Sequence, residues 1–227
     1  MNTTRLKQIY LAFLITGFFL IPSVLGASDS ISLTDHETKL IEQGDIIVRE
    51  IETVGKDGKT FEAIGLINAS RGTIFQILSE YEKYPEFMPN VSHVEIVGQI
   101  DNESIVNYTL TLPLGKIKKY RLRIAVSEPE SRSSLIKWQL QNWAELKTEE
   151  TIRDTSGFWR IEEISRNSLL VLYRVYTDPG PIPFGLGWIV DVLSKDSVPE
   201  AFLQTKARAE SIEPGVRGGA DQVNPLK

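Results

Sequence analysis

The side chains that most often carry out catalysis are scarce in this sequence. The chain has only two histidines, His36 and His93, and no cysteine, so a Cys/His nucleophile pair and a Cys/His zinc site both lack parts. The acids in Glu149-Glu150 and Glu162-Glu163 are adjacent, so on a strand they face opposite ways and form no catalytic dyad. The sequence also has no phosphate-binding loop and no dinucleotide fingerprint. We therefore predict no catalytic residue, no metal site and no cofactor.

The stretch Ser79–Pro89, which reads SEYEKYPEFMP, places large apolar side chains between charged ones. These side chains are Tyr81, Tyr84, Phe87 and Met88. Pro85 and Pro89 exclude a single regular helix or strand and predict a short helix followed by a turn. The rings either cap a hydrophobic core or form one lip of an internal cavity, and the two alternatives are not exclusive.

Hydrophobic periodicity predicts the elements that hold these residues in place. A capping box, Thr34-Asp35-His36-Glu37, begins a short lead-in helix. A second helix begins near Ser70, and a long helix runs from Trp188 to Ile212 with a kink at Pro199. The predicted strands cover residues 45–54, 59–67, 92–99, 104–113, 117–127, 133–141, 146–163 (bent or broken near 154–157) and 168–177.

The order of these elements predicts an α+β fold with a pocket. Several strands alternate, as between Val106 and Leu112, which is typical of an antiparallel sheet with one apolar and one wet face. A curved sheet of about seven strands must cover its apolar face, and only one long helix is available to do so. Because that face is wider than a helix about 10 Å across, we expect a gap between the sheet and the helix.

Several short segments, taken in order and spacing, resemble a known superfamily. They are Ala69-Ser70 before Ile74-Phe75, Tyr84-Pro85-Glu86-Phe87-Met88-Pro89, Leu112-Pro113-Leu114-Gly115, Gly157-Phe158-Trp159-Arg160-Ile161, Asp178-Pro179-Gly180-Pro181-Ile182-Pro183 and Val198-Pro199. Together they resemble the START-like superfamily, also called helix-grip, Bet v 1-like or SRPBCC, and within it the polyketide cyclase/dehydrase and coenzyme Q-binding branch. The resemblance covers about residues 45–210. It implies a curved antiparallel sheet wrapped around a long C-terminal helix, with two short helices between the first and second strands of the core.

The resemblance also implies a function, because members of the superfamily bind lipids, quinones, polyketides or other apolar molecules in a cavity between sheet and helix. The residues that we predict to bind such a ligand are Tyr81, Tyr84, Phe87, Met88, Tyr108, Leu110, Leu112, Trp138, Trp159, Tyr173, Trp188, Val192 and Phe202. Tyr108, Trp138 and Tyr173 are the best candidates for fixing a polar end of the ligand, since buried tyrosine and tryptophan need a hydrogen-bond partner. For the aliphatic residues, ordinary core packing is the favoured alternative. Two other functions stay open, a protein-interaction module and a cyclase or aromatase-type enzyme.

The run Lys116–Arg123 holds five basic residues in eight. Alternation places Lys119, Arg121 and Arg123 on one face of a strand, opposite Tyr120 and Leu122. A solvated strand face is the favoured interpretation. The alternative is transient contact of Lys116, Lys119, Arg121 and Arg123 with anionic lipid headgroups at a membrane surface.

The N-terminal segment predicts export from the cytoplasm. Residues 1–26 have a basic start, an apolar run and small residues at the end, which is typical of a secretory signal peptide, and an uncleaved membrane anchor is the alternative. Removing them leaves 23 Lys+Arg against 30 Asp+Glu, a net charge of −7 that argues against nucleic-acid binding. We expect a periplasmic or secreted monomer. Its predicted organisation is a signal peptide (1–26), a lead-in helix (27–44), a ligand-binding domain (45–212) and a flexible tail (213–227).

Overall fold

The structure is a computed structural model that describes residues 30–127, 133–180 and 188–213, without the side chain of Trp188. The predicted signal peptide, most of the predicted connector after Asp178 and nearly all of the predicted tail lie outside the described residues.

The described residues form an α+β fold. Its helices are α1 (Asp35–Glu42), α2 (Arg71–Ser79), a 3₁₀ helix (Tyr81–Glu86), and a C-terminal helix made of α3 (Trp188–Asp191), a π-helical segment (Val192–Asp196) and α4 (Ser197–Ile212). Its strands are β1 (Ile47–Ile51), β2 (Lys59–Ile67), β3 (Val91–Ile100), β4 (Glu103–Leu112), β5 (Lys116–Ser127), β6 (Ser133–Gln141), β7 (Asp154–Ser165) and β8 (Ser168–Asp178). The two short helices follow β2, because the N-terminal hairpin contributes two strands before them.

All eight strands belong to one antiparallel sheet in the order β1-β2-β8-β7-β6-β5-β4-β3. The prediction that a strand begins at residue 146 is wrong, since β7 begins at Asp154. The preceding residues form turns closed by hydrogen bonds from the Leu146 amide to the Trp143 carbonyl and from the Glu150 amide to the Lys147 carbonyl. These turns carry Ile152 into the protein interior.

The main hydrophobic core lies between one face of the sheet, called the inner face, and the C-terminal helix. Val106 and Tyr108 of β4 and Ile161 of β7 pack there with Phe202 and Ala209 of α4. The alternation seen in the sequence therefore marks the face that the helix covers.

A smaller core on the outer face is covered by α1. Ile41 of that helix packs with Ile47 and Leu172 of the sheet. The predicted capping box is present, with Thr34 and Glu37 bonded to each other's backbone amides. The carboxylate of Glu37 also pairs with the Arg49 guanidinium at 2.7 Å, which fixes the helix to β1.

The C-terminal helix is irregular upstream of the predicted position. We expected a kink at Pro199, but the ladder widens into the π-helical segment Val192–Asp196 before it. Pro199 lies in the first turn of α4, where a missing amide hydrogen is tolerated, so the ladder adjusts in the preceding turn.

The far end of α4 is fixed to the β2–α2 junction by two carboxylates. Glu213 accepts hydrogen bonds from the Ser70 amide at 3.1 Å and the Ser70 hydroxyl at 2.8 Å. Glu210 accepts a hydrogen bond from the Asn68 amide at 3.0 Å. The helix is thus held by directed polar contacts at its C-terminal end.

The contact of Glu37 predicts a pH-dependent contribution to stability. Hydrogen bonds from Arg49 and Thr34 lower the pKa of Glu37 from 4.5 to about 2. Because the folded pKa lies below the unfolded one, this stabilisation is complete above about pH 4.5 and is lost as the pH falls toward 2. We expect Glu37→Gln to lower the thermal unfolding midpoint at pH 7, and the difference from wild type to shrink as the pH approaches 2.

The control is Glu42→Gln, which changes an exposed carboxylate of the same helix and should leave the midpoint nearly unchanged. A wild-type to Glu37→Gln difference that stays constant from pH 7 to pH 2 would contradict this assignment.

Candidate functional site

A partly enclosed cavity of about 140 Å³ lies between the inner face of the sheet and the C-terminal helix. Strands β4 to β8 form one wall, and the 3₁₀ helix with the turn after it forms a second. The C-terminal helix closes the remaining side with residues between Leu193 and Ala201, and Ile152 joins them from the segment before β7. The gap expected from the mismatch between sheet and helix is therefore present.

Eight of the thirteen predicted binding residues lie in the wall of this cavity. They are Tyr81, Tyr84, Met88, Tyr108, Leu110, Trp138, Trp159 and Tyr173. Strand register brings them together, because Trp159 pairs with Tyr173 across β7 and β8, so both rings stand on the inner face.

Phe87, which was predicted at the mouth of the cavity, and Phe202, which was predicted inside it, are not among the described lining residues. The ring of Phe87 packs edge-on against Tyr84, with 5.5 Å between ring centres, and the Arg208 guanidinium of α4 lies 4.9 Å from its centre. Phe202 is fully buried in the main core, where one ring carbon lies 3.1 Å from the position that a Cβ on Gly65 would take. The missing side chain of that glycine makes room for the ring.

Leu112 and Val192 are also outside the cavity wall, contrary to prediction. Leu112 is buried in a separate apolar cluster with Ile152 and Leu193, at the end of the sheet where β4 finishes. The π-helical segment adds a residue to its turn, so Leu193 rather than Val192 reaches the cavity. The side chain of Trp188 lies outside the described residues.

Several lining residues were not among the predicted ones. The clearest are Tyr120, Thr155 and Thr177, together with Asn90 and Ser197. Strand alternation already placed Tyr120 opposite the basic residues, so its inward position could be read from the sequence. The two threonines are cross-strand partners, a pairing that only the register between β7 and β8 reveals.

Tyrosine rings dominate one side of the cavity. Tyr108 and Tyr120 stack with 5.3 Å between ring centres and 8° between planes, and Tyr84 lies 6.2 Å from Tyr108. Tyr173 stacks on Trp159 at 3.9 Å. This side of the cavity therefore presents flat apolar ring surfaces next to polar hydroxyl groups.

The hydroxyls of these tyrosines differ in their hydrogen bonds. The Tyr84 hydroxyl donates to the Leu78 carbonyl at 2.7 Å. Those of Tyr108, Tyr120 and Tyr173 make no hydrogen bond within the described part of the chain. The three hydroxyl oxygens are also not fully buried. In the described part of the chain, the only fully buried side-chain oxygen or nitrogen without a hydrogen-bond partner belongs to a serine of β6. The three hydroxyls therefore face open space in the cavity.

Burial raises the pKa of Tyr108, Tyr120 and Tyr173 above the ordinary tyrosine value, because an anion would lose its hydration. Neighbouring tyrosines raise the pKa of Tyr108 and Tyr173 further. All three stay neutral phenols at physiological pH, so they can donate or accept hydrogen bonds but cannot act as bases.

The cavity wall, as far as the described residues form it, contains no aspartate, glutamate, histidine, lysine or arginine. Within the same ranges, no group of three or more acids, histidines or cysteines could hold a metal ion. His36 and His93 are both exposed, on α1 and β3. The arrangement offers apolar contact and neutral hydrogen bonding.

The two arginines of β5 turn their charges away from the cavity, and Lys118 donates to the backbone carbonyls of Glu149 and Thr151. Arg123 forms an ion pair with Glu103 at 2.6 Å, and Arg121 donates to the Asn107 side chain at 2.8 Å. Both partners belong to β4. Because the two arginines alternate with Tyr120 and Leu122, which line the cavity, they lie on the outer face of the sheet.

The shape of the cavity depends on Gly157, which faces Trp138 across β6 and β7. A Cβ at position 157 would overlap the Trp138 indole and the backbone carbonyl of Arg174. The absent side chain leaves the space that the Trp138 indole occupies.

Comparisons with known proteins agree with this architecture. A family model described as polyketide cyclase/dehydrase and lipid transport matches residues 67–192, more than half of the chain. No curated protein matches the sequence.

Solved structures show the same fold. A fragment (25–204) of the STAR-related lipid transfer protein from Xanthomonas axonopodis has a TM-score of 0.61 at 14% identity and covers 73% of this chain and 93% of its own. Human STARD10 has a TM-score of 0.62 at 14% identity, with 84% and 85% covered. The Zhui aromatase/cyclase from Streptomyces sp. R1128 has a TM-score of 0.53 at 14% identity, with 78% and 100% covered. The predicted helix-grip fold is confirmed, and at this identity the likenesses establish nothing beyond the fold.

The packing at Gly157 predicts an unequal response to two glycine substitutions. We expect Gly157→Ala to destabilise the protein by about 1–3 kcal/mol, since a well-packed wall must shift to admit the methyl group. Gly98→Ala on β3 is the control, because the nearest atom to a Cβ there, on Ile105, lies at an ordinary 3.5 Å. Urea unfolding of both variants measures the difference, and equal stabilities would contradict the assigned role of Gly157.

Proposed function

The chain belongs to the polyketide cyclase/dehydrase and lipid transport family, and from that premise we propose that it binds and carries an apolar small molecule in the cavity between sheet and helix. One observation supports this above all others, namely an unfilled internal space with aromatic walls and no charged side chain among the described lining residues. Burial of apolar ligand surface drives binding, at about 25 cal/mol per Å².

The size of the cavity limits how a ligand is held. Its volume of about 140 Å³ is below the roughly 300–1,000 Å³ typical of pockets that enclose a drug-sized molecule. A lipid, quinone or polyketide-sized ligand therefore enters only if the wall moves or if part of the ligand stays outside. Met88, with its flexible side chain, is the wall residue best suited to such adjustment.

Carriage is better supported than catalysis. General acid–base chemistry needs a group whose pKa lies near the working pH. The described wall offers only tyrosines as ionisable groups, and burial raises the pKa of Tyr108 and Tyr173. The likeness to aromatase/cyclases is therefore taken as a likeness of fold only. Coenzyme Q binding, known in the predicted branch, stays a prediction for this chain.

Action outside the cytoplasm is part of the proposal. Its support is the sequence of residues 1–26, with a basic start and a long apolar run. Among the described residues, no helix combines the length and the apolarity needed to cross a bilayer.

We further propose that the β4–β5 turn contacts an anionic membrane surface. Leu114 in this turn is 81% exposed and has a φ of +61°, an unfavourable backbone region for a leucine. Ile117 beside it is 55% exposed. Two neighbouring exposed apolar residues, one of them in an unfavourable backbone conformation, are suited to insertion into lipid.

Charge and position agree with membrane contact. Lys116 and Lys119 are exposed beside Leu114, whereas the arginines further along β5 are engaged with β4. The Thr111 amide donates to the Asn90 carbonyl at 2.8 Å, so the turn lies near an edge of the cavity that Asn90 lines. A ligand could thus pass between bilayer and cavity over a short distance.

Filling the cavity should abolish ligand binding. Ser197 of α4 lines the cavity and is half-buried, so Ser197→Phe should fill it without overpacking the main core. We expect at least about a tenfold loss of affinity, or ~1.4 kcal/mol, for the neutral dye Nile red in a fluorescence titration. Ser211→Phe, at an exposed position of the same helix, is the matched control and should bind like wild type.

A wild-type protein that takes up neither Nile red nor any lipid from a membrane extract, measured by mass spectrometry after solvent extraction, would overturn the carrier proposal.

Removing the apolar side chain of the turn should weaken membrane contact without harming the fold. We expect Leu114→Asn to reduce co-sedimentation with phosphatidylcholine/phosphatidylglycerol vesicles by about tenfold, the effect of losing one inserted leucine. Asparagine tolerates the left-handed backbone, so stability should stay the same or rise. Val54→Asn, at an 86% exposed position in the β1–β2 connection, should leave vesicle binding unchanged. Equal binding by wild type and Leu114→Asn would refute this contact.

A further inference from the structure

The three tyrosine hydroxyls without partners restrict the chemistry of the ligand. We infer that the cavity selects an uncharged molecule with a hydrogen-bond acceptor, such as a ketone, quinone or ester oxygen, at its buried end, and that it rejects carboxylates and phosphates there. The inference rests on the proposed carrier function and concerns the ligand class of the same site.

The need for an acceptor follows from the donors. The hydroxyls of Tyr108, Tyr120 and Tyr173 make no hydrogen bond with the described residues, and all three residues line the cavity. A neutral phenol keeps its proton, so its hydroxyl needs a hydrogen-bond acceptor when a ligand displaces the water around it. A purely hydrocarbon ligand would leave these donors unpaired, whereas a carbonyl oxygen among them would accept at least one hydrogen bond.

Two backbone carbonyls beside the cavity already accept a hydroxyl from other wall residues. The Leu78 carbonyl receives the Tyr84 hydroxyl, and the Tyr176 carbonyl receives the Thr155 hydroxyl at 2.7 Å. The unpaired donors thus depend on water or on a ligand.

The rejection of anions follows from the absence of positive charge in the described wall. Neither lysine nor arginine lines it. Arg121 and Arg123 of β5 are bound to β4 on the outer face, and the Lys118 ammonium is bound to the backbone carbonyls of Glu149 and Thr151. The start of α4 offers little to an anion, because the helix continues from the π-helical segment and the Ser197 amide donates to the Ser194 carbonyl. The same surroundings raise the pKa of the tyrosines, which means that they disfavour negative charge.

Three naphthalenes of nearly equal shape test the inference by isothermal titration calorimetry at pH 7. They are 2-acetylnaphthalene, which carries a neutral acceptor, 2-isopropenylnaphthalene, which lacks the acceptor, and 2-naphthoate, which carries a charge. We expect the ketone to bind about tenfold more tightly than either of the others, a preference equivalent to ~1.4 kcal/mol.

Tyrosine variants identify the source of the preference. The triple variant Tyr108→Phe/Tyr120→Phe/Tyr173→Phe should lose the preference for the ketone and keep its affinity for 2-isopropenylnaphthalene. At least one of the three single variants should reproduce part of this loss, which covers the case of a triple variant that folds poorly. Tyr176→Phe is the control, because Tyr176 of β8 is not among the described residues of the cavity wall and its hydroxyl should not contribute.

The outcomes separate this inference from the carrier function. Equal binding of the ketone and 2-isopropenylnaphthalene, or binding of 2-naphthoate as tight as that of the ketone, overturns the inference while leaving carriage intact. Uptake of Nile red without binding of the ketone has the same meaning. Failure of the wild type to bind any of the three naphthalenes or Nile red overturns the carrier function itself.

Discussion

A single helix is too narrow to cover the inner face of an eight-stranded sheet, and the rest of the structure depends on this mismatch. Strands spaced about 4.8 Å apart give the sheet a width of roughly 34 Å, whereas a helix with its side chains is about 10–12 Å across. Curvature reduces the uncovered width but does not remove it. What the helix leaves uncovered must be filled by large side chains, by a second layer or by a guest molecule. This protein combines aromatic side chains with an unfilled space.

The two faces of the sheet are covered by different elements. On the outer face, α1 covers only an apolar patch around Ile47 and Leu172, and much of the remainder is polar. Arg174 and Arg49 there pair with the nearly fully buried carboxylate of Glu62, which keeps the charge compensated. On the inner face, the aromatic rings are the largest available fillers, and their hydroxyls make the uncovered space polar at a few points. The cavity thus results from the incomplete cover of the inner face by the helix.

Local patterns in the sequence predicted the sheet and much of the cavity wall. Alternation in β4 placed Tyr108 and Leu110 inward, and the uninterrupted register between β4 and β5 preserves that period of two. The failures have two causes, contacts between distant segments and a local irregularity of the C-terminal helix. Phe202 packs in the space that Gly65 leaves on β2, and Val192 is displaced by the π-helical turn that precedes Pro199. Helical periodicity counts 3.6 residues per turn, so one wide turn shifts every later residue around the axis.

The two ends of the C-terminal helix contact the rest of the protein in different ways. Its C-terminal end is held to the β2–α2 junction by the carboxylates of Glu210 and Glu213, which accept directed hydrogen bonds from backbone amides. Its N-terminal end contacts the sheet through apolar side chains such as Leu193, which belongs to one buried cluster with Leu110 and Leu112 of β4. Hydrogen bonds to charged groups weaken steeply when their geometry changes, whereas apolar contacts are not directional. The end that borders the cavity is therefore the end that can shift at the lower cost, and the wide π-helical turn lies at that end.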